Sequence, residues 1–357
     1  MAIVKRTAGA LGLLVILLLL AAGCATVSPQ AGAKLADTGV ETANTTKGTI
    51  NSTRLGLETY IQGQYLQAGL RGTAPPDALT PKGDSTLKEV EKIEKSLAAR
   101  EAVLTAMAGT YAAFGALARS TFAQDLPQAV EKFGGAINGY AQVVGYQEAL
   151  PAMGIKLGSQ GASLVAKCVL ARLLKEGSQT IRAGVTQFRN IFDKEKQALI
   201  DINKEMVKQS GWIAKEFYEL NIARPHPILR TSLGDFGLEY DAQQANRMLE
   251  ALPTSPKTPA KPGRAAAETQ SGPSAGTAAK LKTAILNVIQ RRIKLNQDLQ
   301  EEIITKIAAS LDDLIKAHES FEKGEPLNLT RLTQDLVELK TATDMVKQLR
   351  EELKSKQ

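Results

Sequence analysis

Cysteine and histidine are the side chains best suited to nucleophilic, acid–base and metal chemistry near neutral pH. This 357-residue chain has two of each: Cys24, Cys168, His226 and His318. Cys168 lies in the apolar stretch SLVAKCVLARLL. With no neighbouring histidine to lower its pKa, it reads as a small buried hydrophobe rather than a reactive thiol. His226 stands between Pro225 and Pro227, the setting of a turn residue, and His318 falls in a separate helical segment. No HExxH or CxxC is present, so no metal site is predicted. No GxxxxGK[ST] or GxGxxG is present to cradle a phosphate. The stretch GSQGAS does not place Ser159 in the GxSxG spacing of a hydrolase elbow. The acid pairs Glu301–Glu302 and Asp312–Asp313 read as solvated helix surface, since adjacent residues on a helix point about 100° apart. A carboxylate-only active site leaves no sequence signature, because its acids meet in space. The sequence therefore predicts no catalytic residue, no cofactor, no metal and no small-molecule substrate.

That leaves Cys24, which closes the most apolar segment of the chain, LLLLAAGCATVS. Lys5 and Arg6 form a short basic start. Leu11 to Ala22 carry no charge, and the run is short of the ~20 residues of a membrane span. A charged start, a short apolar core and small residues at the end have the layout of a secretory signal peptide. Ala21, Ala22, Gly23 and Cys24 resemble the lipobox of bacterial lipoproteins, with Ala21 where leucine is commonest. The resemblance covers about the first 24 residues and implies that the Cys24 thiol receives a diacylglyceryl group. It also implies cleavage before Cys24 and acylation of the new amino group. Several acyl chains, at ~0.8 kcal/mol per buried methylene, would make the attachment nearly permanent. Ala25, rather than an aspartate, follows the cysteine. In Gram-negative lipoproteins that implies the outer membrane, facing the periplasm.

The elements beyond the anchor read as helical. Aromatic residues are 4% of the chain, and Ala and Leu are plentiful, a composition suited to helix packing. The formal charge is +7, but the charges alternate along the chain and read as solvated faces, so no nucleic-acid partner is predicted. Residues 25–54 are rich in Thr, Asn, Gly and Ser, and two readings stay open: a polar tether, or a weak helix seamed by Val40, Ala43, Ile50, Leu57 and Ile61 and interrupted by Lys47 and Arg54. A firmer helix follows from Ser85, with capping-box spacing at Thr86 and Glu89 and a stripe through Leu97, Leu104, Ala108, Tyr111 and Ala118. Its Ala102–Ala118 stretch is free of charge. Asp125 and Pro127 announce another helix. From about Ser163 to Leu220 a near-heptad seam runs through Ile181, Val185, Phe188, Phe192, Leu199, Ile202, Met206, Ile213, Phe217 and Leu220. A short helix is expected over 241–252. Pro253 to Lys280 is built from Pro, Ala, Ser, Thr, Gly and Lys, the composition of a disordered linker. Two leucine stripes then flank the turn KGEPLN and predict an antiparallel hairpin.

The expected fold is all-α: an elongated bundle of long helices with a C-terminal antiparallel helical hairpin. The expected organisation is a signal peptide over 1–23, the lipidated Cys24 with its tether or weak helix over 24–54, and a main bundle over 55–252. A linker over 253–280 and the hairpin over 281–357 complete it. The function this points to is a membrane-anchored, non-enzymatic scaffold in the cell envelope. It would bind a protein partner, or its own copy, through helical surfaces. The alternative is a membrane-inserting protein that uses the Ala- and Gly-rich region 102–174, in loose architectural resemblance to α-helical pore-forming proteins.

Overall fold

A computed structural model of the chain describes residues 27–71, 85–119, 125–146, 163–220 and 275–353, with isolated positions between 229 and 243. The signal segment 1–23, Cys24, His226, the helix expected over 241–252 (bar Asp241 and Gln243), and linker residues 253–274 lie outside the described residues. Six helices make up the rest: α1 Pro29–Arg71, α2 Ser85–Arg119, α3 Leu126–Val144, α4 Ser163–Glu219, α5 Ala275–Lys323 and α6 Thr330–Leu353. Among the described residues there is no strand, and the fold is all-α.

The helices start and stop where local chemistry asks them to. Asp125 occupies the N-cap position of α3 with Pro127 in the first turn, but its carboxylate makes no capping hydrogen bond. Ahead of α6, the Asn328 side-chain oxygen accepts from the Thr330 N–H at 3.3 Å and so satisfies one of the free N–H groups of the first turn. Between α5 and α6, Gly324 adopts φ 73°, the left-handed conformation that side chains resist. The Glu325 N–H then reaches the Ser320 carbonyl at 2.9 Å and closes the end of α5.

The chain divides into two compact units. The first comprises residues 1–58, 76–201 and 301–343. In it the pairs Asp313–Arg331 and Lys306–Glu338 join α5 to α6 with opposite chain directions, as a hairpin requires. Thr110 of α2 donates to the Ala129 carbonyl of α3, and Arg100 of α2 reaches Tyr140 of α3, so these helices are antiparallel too. Arg182–Glu319 and Arg189–Asp312 set α4 and α5 in the same relation. Leu104, Met107, Tyr111, Phe114, Phe133, Phe188 and Phe321 are wholly buried at its centre. The hairpin residues 301–343 thus share one core with helices that precede the linker.

The second unit comprises 59–75, 202–300 and 344–357. Tyr218, Ile285 and Ile289 form its apolar cluster, flanked by Leu229, Leu286, Val288 and Ile293. Asn203, Gln209, Asn296 and Gln300 are also buried there. The Gln297 amide donates to the Lys204 carbonyl at 3.1 Å.

Two readings of surface character need correction. Asp313 is only 12% exposed and pairs with Lys316 and Arg331, while Asp312 pairs with Arg189. Both acids pair with cations on other helices, and Asp313 is largely shielded, while Asp312 keeps 43% of its side chain in solvent. Leu220, placed on the α4 seam by its spacing, is 53% exposed, and Tyr218 is the buried residue of that last turn.

Candidate functional site

His318 lies on α5 in step with Leu311, Leu314 and Phe321, at the helical spacing that faces one core. Its ring has no exposed surface. Nε2 lies 2.7 Å from the hydroxyl of Tyr111 on α2, and Nδ1 lies 2.8 Å from Oγ of Ser178 on α4. Ser178 in turn donates to Oε1 of Glu322 at 3.1 Å, one turn along α5. Arg182, one turn along α4, forks onto both carboxylate oxygens of Glu322 at 3.0 and 3.1 Å.

The proton directions follow from the ends of this chain. A carboxylate only accepts, so the Ser178 proton points to Glu322. Ser178 Oγ must then accept from Nδ1–H, which leaves Nε2 as the acceptor for Tyr111. Every polar atom in the row has a partner of the right kind. Burial, with the Arg182 cation adding to it, pushes the His318 ring down to about 3, so the imidazole is neutral at ordinary pH. Burial also holds the Tyr111 hydroxyl well above its usual range, so it keeps its proton.

A second cluster surrounds Arg100 of α2, whose side chain is 2% exposed. Its guanidinium donates to Tyr140 at 2.8 Å, to Ser96 at 3.0 Å, and to Glu195 of α4. The same group lies 5.5 Å from the Tyr140 ring centre and 6.0 Å from that of Phe192, within cation–π range. Tyr140 also donates to Glu195. Burial is the main cause that pushes its hydroxyl far up.

The outer face of α2 is different in kind. An open groove of about 890 Å³ runs along it, floored by small residues including Ala98, Ala102, Thr105, Gly109, Ala112 and Ala116. Gln128, Ala129 and Lys132 of α3 line it, with Arg54, Glu101 and Asp125. Residues Glu91–Arg119 are long and apolar enough to cross a membrane by length and composition, and half of their most apolar 18-residue stretch is buried within the protein.

Of the side chains singled out by type, Cys24 and His226 lie outside the described residues, and Cys168 falls in the first part of α4 with its side chain outside them. Only His318 can be placed among its neighbours. Spacing places His318 on the buried stripe, but the partners Tyr111, Ser178, Arg182 and Glu322 come from separate segments and share no motif. Among the described residues no group of three His, Cys, Asp or Glu is gathered to hold a metal ion. Chemically, the Ser178–His318 pair has the elements of a nucleophile and its base. Both side chains are wholly enclosed, however, and the serine proton is directed to Glu322 rather than to the ring. The arrangement joins three helices.

No protein family model matches the chain, and no curated protein or solved structure matches it.

Proposed function

We propose that this chain is a lipid-anchored envelope protein that works as a non-enzymatic helical scaffold. One observation carries the reading: two buried clusters of titratable groups in the first unit are bonded together between helices. Tyr111, Ser178, Arg182, His318 and Glu322 tie α2, α4 and α5 together. Arg100, Tyr140 and Glu195 tie α2, α3 and α4. Such networks fix which helix faces which, at the cost of desolvating charge. They suit a protein whose product is a defined surface. The lipobox residues Ala21–Cys24 supply the anchor, and Ala25 favours the outer membrane, facing the periplasm. The partner is another envelope protein or a second copy.

Labelled palmitate and a photo-crosslinker test the two halves of this reading. Cys24→Ser should abolish palmitate incorporation and leave the precursor uncleaved. A crosslinking residue at exposed Ala102 or Ala112 should give a discrete protein adduct in intact cells. Persistent labelling in the variant would remove the anchor, and the absence of any adduct from surface positions on all six helices would remove the scaffold.

The second reading, membrane insertion by region 102–174, is favoured by the length and composition of Glu91–Arg119. Insertion would first have to strip Leu104, Met107, Tyr111 and Phe114 from the core. Dye release from liposomes by the purified mature chain separates the two readings.

A further inference from the structure

A neutral imidazole offers one N–H and one lone pair, and His318 uses both. It accepts from Tyr111 and donates to Ser178. A protonated ring offers two N–H groups and no lone pair. The Tyr111 proton would then face a second proton across a 2.7 Å contact. One of them must turn away, and in a site without solvent it has nowhere to go.

We infer that Tyr111, His318 and Ser178 form an acid-releasable clasp, in which protonation of the His318 ring breaks the hydrogen-bond chain holding α2 to α4 and α5. The charges around the ring favour release. From α4, Arg182 presents a cation toward it. From α5, Glu322 is the compensating anion, but it is already engaged by Nε and Nη2 of Arg182 and by Ser178. Glu319, also on α5, lies on the outer side of Arg182 at 3.5 Å. From α2 the facing group is the Tyr111 hydroxyl. α1 meets the cluster through Gly39 beside Tyr111 and Gly32 beside Phe321.

The sign is fixed by comparing the closed and opened states. In the opened state the ring meets water and titrates near its ordinary value of about 6.5. Inside the bundle it is held down to about 3 by burial and by Arg182. The closed state therefore binds fewer protons throughout that interval. Its advantage is whole above about 6.5 and is lost progressively as the pH falls toward about 3. Between pH 7 and pH 4.5 the ratio of opened to closed clasp should rise on the order of a hundredfold from this ring alone.

The chain has two histidines, so nitrogen-edited NMR of the ring signals in the full mature chain is a direct test, with His226→Gln to assign them. The His318 ring should show the neutral Nδ1–H form and no midpoint near 6.5 while the protein is native. An ordinary midpoint, or the Nε2–H form, would overturn the clasp. Hydrogen exchange around Tyr111 supplies the second measurement. Opening there, corrected for intrinsic exchange, should rise on the order of a hundredfold from pH 7 to 4.5 in the native sequence. It should rise far less in His318→Gln, whose amide can accept from Tyr111 and donate to Ser178 without titrating. Equal rises in both proteins would also overturn it. If His318→Gln does not fold, the ring signals of the native chain decide the matter.

Discussion

Thr49 and Thr343 bring their hydroxyls to 3.0 Å of each other across 294 residues of sequence. Thr49 lies on α1 and Thr343 on α6, both buried in the first unit. Thr343 also bonds the Leu339 carbonyl at 2.8 Å, and Thr49 the Thr45 carbonyl at 3.1 Å. Two protons serve these three contacts, so one hydroxyl donates to the other across the helices while its neighbour donates to its own helix carbonyl. Thr49→Val keeps the shape and removes the shared contact. It should cost ~1 kcal/mol, and the double variant with Thr343→Val should cost less than the two singles combined. Urea unfolding midpoints provide the comparison, and strict additivity would show that the contact contributes nothing.

Gly39 and Gly109 predict opposite responses to the same change. A Cβ on Gly39 would lie 2.2 Å from the Tyr111 ring, which is itself fixed by His318. A Cβ on Gly109 would meet nothing within 4 Å. Both residues are inside helices, where alanine is favoured by up to ~1 kcal/mol. Gly109→Ala should therefore stabilise by ~0.5–1 kcal/mol. Gly39→Ala should lose more than it gains and destabilise by ~1–3 kcal/mol from overpacking. Thermal melts should move apart in opposite directions, and a stabilised Gly39→Ala would mean that α1 does not sit against Tyr111.

The threonine ladder explains why α1 was ambiguous as sequence. Thr42, Thr46, Thr49 and Thr53 recur at steps of four, three and four, and all are buried. Counting only apolar residues leaves gaps at those positions, and the segment looks like a tether. A threonine whose hydroxyl bonds the carbonyl one turn back, as Thr42 does to Thr38 at 2.8 Å, presents mainly its methyl group to the core. Lys47 and Arg54 looked like breaks in the same seam. They reach Glu101 of α2 at 3.7 and 3.6 Å, so they border the packed face. By contrast α6 was plain, since Leu332, Leu336, Leu339 and Val346 mark its buried face and only Thr343 interrupts the apolar stripe. The His318 cluster was not read from the sequence, although helical spacing from Leu311 and Leu314 to His318 was a usable signal. Spacing puts the histidine inside, but nothing local says that Tyr111 and Ser178, 207 and 140 residues away, complete it.

Arg100 and Glu195 should behave as a unit. Removing Glu195 leaves a nearly buried cation without its anion, and its Nη1 already has no partner. Glu195→Gln should destabilise by ~3 kcal/mol, whereas Arg100→Met with Glu195→Gln should recover part of that loss. Tyr140→Phe, which removes only the hydroxyl bridging them, should cost ~1–2 kcal/mol. A double variant that costs as much as the Glu195→Gln and Arg100→Met single variants added together would show that the charge pair is not coupled.

The linker and the first unit together make a prediction about cutting the chain. The linker was expected over 253–280, but α5 begins at Ala275, so limited proteolysis should cut first within 253–274, which has the Pro-, Ala- and Ser-rich composition of a spacer. The two products should not separate. Residues 76–201 and 301–343 belong to one compact unit. Arg182–Glu322, Arg189–Asp312 and Ser178–His318 all join helices from opposite sides of the cut. Leu336 and Leu339, 2% and 0% exposed, sit on the face of α6 that the unit buries. The nicked protein should therefore elute from gel filtration as one species, and a fragment spanning 277–357 should rebind residues 25–252 when mixed with them. Replacing Leu336 and Leu339 with Asp puts two charges into that core, and the fragment should no longer rebind. Sedimentation of the mixtures gives the answer. A nicked chain that falls apart in native buffer would mean that the helices beyond the linker fold on their own and that the shared core does not form.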